Sequence, residues 1–372
     1  MLTKTKILDL SRVLAGPLCT MTLGDLGADV LKVERPIHGD DTRTWGPPFD
    51  ERGESAYYLS VNRNKKSVVL DLDQRRDRDL LVSLATEADV VVDNFKPGTL
   101  ERRGIEPREI LEQVPELVWC TITGFGKESS RVGYDLVVQA ESGWMAITGE
   151  PAGDPMRVGV ALADIIAGKD ATIAILAALF RRSTSTDPIP AAERRIYISL
   201  AASARAALIN VAQNSLVTGN DAKRWGNQHP NLVPYQLFHA SDRPIILAVG
   251  NDSQWKACAL ALGLSDLAAD ASVANNAGRL ASRDRIIAAV SDKLGEKSAD
   301  EWIPLLDAAG VPCGVVKSVL ESLKEIEASA LTGIAPSVPG SVRLPPPMLD
   351  EHGREIRESG WDAFQERIEH ES

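Results

Sequence analysis

One carboxylate has surroundings unlike those of the chain's other acids. Asp164 lies in RVGVALADIIAGKDATIAILAALF (157–180), directly ahead of an apolar helical run. Its ordinary role there would be a helix N-cap, accepting a backbone N–H and favouring the helix dipole. Among Ala, Ile and Leu it is also poorly solvated, which raises its reactivity toward an electrophile that a charged substrate delivers. Arg35, Arg43, Arg63, Lys65 and Lys66 form a local basic excess near two strand ends, where α/β sheets bind ligands. The other reading of these cations is solvated surface charge. Asn94 and Phe95 end a strand as well, where Asn could satisfy loop backbone and Phe could close the core.

Other chemistries lack their residues. The five histidines, at 38, 229, 239, 352 and 370, are not spaced as metal ligands. Cysteines 19, 120, 258 and 313 form no CxxC pattern and read as reduced, mostly buried thiols. There is no GxSxG elbow, no P-loop and no GxGxxG after the first strand, so the motifs of an α/β-hydrolase, of a P-loop and of a dinucleotide site are missing.

The elements that must position Asp164 follow from the hydrophobic pattern. KILDLSR (6–12), AGPLCTMTLGDLG (15–27) and DVLKVERP (29–36) read as strand, helix and strand. SVVLDL (67–72), DQRRDRDLLVSLATEA (73–88) and DVVVDNF (89–95) repeat that order, and PREILEQVPELVWCTITGFG (107–126) adds a helix and a strand. Alternation of this kind predicts a doubly wound parallel sheet. Residues 134–147 and 164–181 are predicted helices, and 194–210 a strand running into a helix. The polar stretch 218–234 is predicted loop. YQLFHASDRPIILAVG (235–250) is a predicted hairpin turning at 241–244, with a helix capped by Asn251, Asp252 or Ser253 after it.

The chain has 372 residues, 44% hydrophobic and 25% charged, which predicts a globular protein with two lobes. Its net charge of −11 disfavours a general nucleic-acid binder. The longest apolar run, 171–180, is too short to span a bilayer, and charges at Lys4, Lys6, Asp9 and Arg12 break up any signal-peptide core. The expectation is a cytoplasmic protein with no membrane partner.

Several motifs together resemble a known family, the family III CoA-transferases (the CaiB/BaiF group). They are LDLSRVLAGPLCTMTLGDLGADVLKVERPIHGDDTR (8–43), NRNKKSVVLDL (62–72), ADVVVDNFKPGTLERRGI (88–105), GYDLVVQAESGWMAITGEP (133–151), VALADIIAG (160–168) and AGVPCGVV (309–316). The resemblance implies an α/β fold with a Rossmann-like CoA-binding domain at 1–215, completed by 330–372. It further implies a linker at 216–234, a small α+β domain at 235–329, and an interlocked, ring-shaped homodimer. The implied reaction moves CoA from an acyl-CoA to a small carboxylic acid through an aspartyl anhydride and an aspartyl-CoA thioester. Asp164 is the implied nucleophile, CoA is a substrate, and neither a tightly bound cofactor nor a metal is called for. The CoA nucleotide is expected against Arg35, Leu70, Asp71, Leu72, Asp73, Asn94, Phe95, Lys96 and Arg102, and its thiol end near Leu14, Ala15, Tyr134 and Asp135.

Departures narrow the expectation. Leu14 stands where formyl-CoA transferase has glutamine, and GNQHPNLVPYQ (226–236) stands where it has a glycine-rich loop. That argues against oxalate or formate. The 226–236 stretch resembles dicarboxylate-handling members such as succinyl-CoA:glutarate CoA-transferase, where Gln228 and His229 could hold a distal carboxylate or simply build the loop. An α-methylacyl-CoA racemase would carry a His-Asp pair where Tyr134-Asp135 stands, and tyrosine is a poor proton carrier near neutral pH. Racemase and non-catalytic CoA-binding dimer remain as alternatives.

Overall fold

A computed structural model describes residues 1–365. The end of the expected 330–372 segment lies outside the described residues. The chain divides into two compact units. The first holds 1–145, 157–220 and the chain from Ile326 onward, and the second holds 146–156 and 221–325.

The first unit is built on six strands: β1 (Lys6–Asp9), β2 (Asp29–Glu34), β3 (Lys65–Val69), β4 (Val90–Asp93), β5 (Val118–Thr123) and β6 (Arg195–Ser199). All neighbours are parallel, in the order β3-β2-β1-β4-β5-β6. Side chains alternate across the sheet, as the pleat requires. Ile7, Val30, Val90, Val92 and Cys120 pack on one face beneath helices α1 (Ala15–Asp25) and α5 (Leu162–Thr184). Leu8, Leu31, Val91 and Trp119 pack on the other face with α2 (Arg75–Thr86) and α3 (Pro107–Gln113). Trp361 closes that second face and donates its Nε1 to the Leu84 carbonyl at 3.0 Å.

The predicted helix 134–147 is two pieces, α4 (Asp135–Glu141) and a single turn at Trp144–Ile147. Gly143 breaks it at φ +90°, a conformation glycine adopts at low cost. Strand β3 begins at Lys65, two residues before the predicted start. The region 194–210 gives β6 and helix α6 (Leu200–Ala206), as the pattern indicates.

Helices α1 and α5 approach unusually closely at Gly168. A Cβ there would lie 2.6 Å from the Ala15 carbonyl oxygen, so only glycine lets the two helices meet. This contact joins the helix that carries Asp164 to the start of α1.

The second unit carries an antiparallel sheet of β7 (Tyr235–His239), β8 (Pro244–Ala248) and β9 (Cys313–Val315). The hairpin turns at 240–243, and Asn251 Oδ1 caps the next helix by accepting the Gln254 N–H at 2.9 Å. Its own core contains Phe238, Trp255, Ile286 and Trp302.

Candidate active site

At the middle of the parallel sheet, β1 and β4 are neighbours but their connections diverge. The chain leaves β1 into α1 on one face and leaves β4 toward α3 on the other. Such a divergence opens a crevice at the carboxyl ends of the two strands.

The loop after β1 is fixed from below by buried charges. Asp9 accepts the Ser11 N–H at 3.0 Å, the Thr20 hydroxyl at 2.7 Å and Lys65 Nζ at 2.9 Å. Burial opposes ionisation of Asp9, but Lys65 and Lys32 overcome it and hold the acid down at about 2. Lys32 Nζ donates to the Ser11 carbonyl and to Asp40, each at 2.9 Å. Asp40 also accepts the Val13 N–H, at 3.2 and 3.3 Å from its two oxygens. Val13 sits at φ +72°, a strained conformation for a β-branched residue, and this network imposes it.

The two strand ends are tied by Asn94. Its Oδ1 accepts the Arg12 N–H at 3.0 Å, and its Nδ2 donates to the Arg12 carbonyl at 2.7 Å. A cavity opens above. It is lined by Arg12, Val13, Leu14 and Ala15 after β1, by Asn94, Phe95, Lys96 and Pro97 after β4, and by Thr123, Gly124, Tyr134 and Asp164. A second cavity adjoins it, lined by Arg35, Leu70, Asp71, Leu72, Asp73 and Arg103. Arg12 and Phe95 line both.

Asp164 occupies the first turn of α5, three residues past the N-cap position Ala161, which makes no side-chain cap bond. The capping acceptor comes instead from Asp135, whose Oδ1 takes the Ala163 N–H at 2.8 Å. Asp164 is therefore not the N-cap that its sequence position allows. Among the described residues its half-buried carboxylate accepts no hydrogen bond. Burial first, and then the nearby charge of Asp135, push its pKa up to about 7. Tyr57 feels it too: burial and then Asp164 raise that phenol to about 12. A weakly solvated carboxylate facing a cavity is equipped to act as a nucleophile or as a base.

The other sequence candidates fall into place unevenly. Asp135 does not line the cavity; Ala163 N–H and Gln139 Nε2, the latter at 2.6 Å, take its two oxygens. Arg102 lines neither cavity and donates to Thr99 Oγ1, while Arg103 lines the second cavity and pairs with Asp73 at 3.3 Å. Of the basic excess, Arg43, Arg63 and Lys65 are buried against Glu34, Asp25 and Asp9, and Lys66 pairs with Glu355. Each of these cations has its own carboxylate, so they are structural. Arg35 alone of the five lines either of these two cavities, paired with Asp41. Arg12 was not singled out in the sequence, although its place one turn beyond β1 at the strand divergence marks it.

Gln228 and His229 belong to the second unit. His229 Nδ1 accepts the Asn231 N–H at 3.0 Å, and Arg283 donates to the His229 and Pro230 carbonyls at 3.0 Å and to Gln228 Oε1 at 3.5 Å. These contacts build the loop. Among the described residues no group of three His, Cys, Asp or Glu could hold a metal ion, and no helix is long and apolar enough to cross a membrane.

Residues 2–352 match the profile of CoA-transferase family III. The chain belongs to that family. It is 39% identical to succinyl-CoA:glutarate CoA-transferase of Mus musculus, over 94% of this chain and 84% of the relative. It is 34% identical to acetyl-CoA:oxalate CoA-transferase of Acetobacter aceti, over 97% of this chain and 90% of that one. A crystal structure of a CaiB/BaiF family protein from Brucella suis superposes with a TM-score of 0.84 at 37% identity, covering 96% of this chain and 98% of that one. This family III protein is thus a CoA-transferase, and the crevice at β1 and β4 is where its sheet offers a ligand site.

Proposed function

We propose that this family III CoA-transferase moves CoA from succinyl-CoA, or another dicarboxyl-CoA, to a small carboxylic acid, with Asp164 as the covalent nucleophile. The observation that carries the reading is the unpaired, half-buried Asp164 carboxylate lining the crevice between β1 and β4. Asp164 attacks the thioester carbonyl, the C–S bond breaks, and CoA leaves as thiolate with a mixed anhydride on the enzyme. The thiolate attacks the aspartyl carbonyl and expels the donor acid, leaving an aspartyl-CoA thioester. The acceptor carboxylate attacks that carbonyl and releases the thiolate, which then attacks the acceptor's acyl carbon and restores Asp164. Each step exchanges one activated acyl group for another.

The second cavity, with Arg35, the 70–73 run and Arg103, suits the nucleotide end of CoA, and Phe95 between the cavities suits the adenine or the pantetheine arm. Tyr134, Leu14 and Ala15 stand beside Asp164 for the thiol end. Lys96 and Asn94 flank that path. Gln228 and His229 enter as acceptor-side residues, and the homodimer and the cytoplasmic location are parts of the same proposal. The name of the mouse relative supports the succinyl donor; the name of the Acetobacter relative keeps oxalate among the acceptors to be tried.

The test is thioester exchange read by mass spectrometry. Protein is mixed with succinyl-CoA and glutarate, itaconate, mesaconate, citramalate, malate, carnitine or oxalate, beside Asp164→Ala. New acyl-CoA masses with the wild type alone support the proposal. Exchange of an α-proton in deuterated water without transfer would instead indicate a racemase, and tight CoA binding with neither reaction a binding protein.

A further inference from the structure

One buried amide has no part in the steps above. Gln139, on α4, is fully buried. Its Nε2 donates to Asp135 Oδ2 at 2.6 Å and to the Val160 carbonyl at 3.3 Å, and its Oε1 accepts the Val158 N–H at 2.9 Å. Asp135 in turn accepts the Ala163 N–H on its other oxygen. Two routes therefore run from this amide to the helix of Asp164. One passes through Asp135 into the first turn of α5. The other passes through Val158 and Val160 into the extended chain that enters α5.

We propose that Gln139 is the positioning residue for Asp164: its amide holds Asp135 on the amino end of α5 and pins the entering chain, so that the Asp164 carboxylate stays open to the cavity. The proposal rests on Asp164 being the nucleophile. The physical reason is a choice that Asp135 would otherwise have. Its carboxylate can cap α5, whose own N-cap residue, Ala161, offers no acceptor, or it can turn away. A donor on the second oxygen, aimed from a fully buried side chain, removes that freedom. The amide is also the group that suits both neighbours, because it donates to a carboxylate and accepts from a backbone N–H at once. A carboxylate in its place accepts from Val158 but repels Asp135, and an alkyl chain does neither.

The charged and titratable groups around Asp164 are Asp135 on α4, Tyr57 on the turn 56–59, and Arg12, Asp41, Lys96, Arg131 and Tyr134 around the cavity. Of these, Gln139 hydrogen-bonds only to Asp135, so any change in the charge around Asp164 on its removal comes through Asp135, while the Val158 and Val160 bonds act on the backbone entering α5.

Gln139→Leu and Gln139→Glu are compared with wild type in steady-state transfer from succinyl-CoA to glutarate. In parallel, Asp164 is labelled with a water-soluble carbodiimide and glycinamide across a pH series, and the peptide that contains it is quantified by mass spectrometry. Loss of position should lower kcat about tenfold or more, because small misplacements of a reacting group are costly, and leave KM for the acyl-CoA within about threefold. The labelling midpoint of Asp164 should move by about half a pH unit or more in both variants. A folded variant with a lower melting temperature but unchanged kcat and labelling midpoint overturns the proposal, since that is a packing role only. If Gln139→Leu does not fold, Gln139→Glu, of nearly the same shape, decides. A wild type without transfer to any acid of the panel, or transfer that survives in Asp164→Ala, refutes the nucleophile assignment on which the proposal rests, whereas transfer at the wild-type rate in both Gln139 variants refutes only the role of Gln139.

Discussion

Asp135 Oδ1 accepts the Ala163 N–H at 2.8 Å, and the residue after Ala163 is Asp164. One acid thus caps the helix that presents the other, and its charge stands near the carboxylate that it helps to place. The cap relieves Asp164 of the ordinary task of an acid at a helix start. The like charge, together with burial, makes Asp164 a weak acid and a stronger nucleophile than a solvated aspartate.

Asp164→Ala and Asp164→Asn should each lower transfer by on the order of 10⁴-fold or more, as loss of a covalent nucleophile does. They should also differ from the wild type in stability, with a defined pH dependence. A carboxyl whose folded-state pKa is raised to about 7 favours folding while protonated and loses that contribution as pH climbs from about 4 to about 7. Asp164→Asn should therefore gain stability over wild type as pH rises from about 4 to about 7 and level off above, the full effect being at most ~4 kcal/mol. Calorimetry at the two pH values measures it.

Transfer by wild type should fall as pH drops below about 7, because Asp164, as the proposed nucleophile, must be ionised to attack. Asp135→Asn keeps an oxygen for the Ala163 N–H and removes the neighbouring charge. Its kcat/KM profile should shift to lower pH while the protein stays folded. A shift to higher pH, or none, would show that Asp135 does not act on Asp164 by charge.

Asp40→Ala strands Lys32 as a buried cation and takes the acceptor from Val13 N–H. Breaking one side of a buried pair costs about 3–5 kcal/mol, so denaturant melts should show a loss of that size. Val13 should relax from its left-handed conformation, and acyl-CoA binding should weaken with the loop.

Gly168→Val pushes a side chain against the Ala15 carbonyl, where even a Cβ would be 2.6 Å away. Helices α1 and α5 must separate. Stability should drop by roughly 1–3 kcal/mol. Transfer should drop more than stability implies, because the two helices carry Ala15 and Asp164 to one cavity.

Phe95 lines both cavities. Phe95→Ala should raise KM for the acyl-CoA about tenfold, equivalent to ~1.4 kcal/mol, and leave kcat within about threefold. Isothermal titration with CoA gives the same comparison without turnover.

The sequence by itself determined the strands and most helices around the parallel sheet, and the hairpin and first helix of the second unit, because apolar spacing reports burial face by face; the break at Gly143 escaped it. Ile7 and Leu8 go to opposite faces, and 162–184 is apolar enough to need covering. It also singled out Asp164, since few acids precede so apolar a helix, and the ordered motifs from 8 to 316 determined the family. Strand order lay beyond it. Placing β4 beside β1, which opens the crevice, depends on contacts such as Ile7 with Val90, 83 residues apart, and no local pattern encodes them. The partners of the charges lay beyond it too. Arg43, Arg63 and Lys65 read as a ligand patch because a linear sequence shows cations without the Glu34, Asp25 and Asp9 that bury with them. The division of labour between Asp135 and Asp164 was decided the same way. Either could have capped a helix by its position, and only packing α4 against the start of α5 gave the cap to Asp135 and left Asp164 open to the cavity.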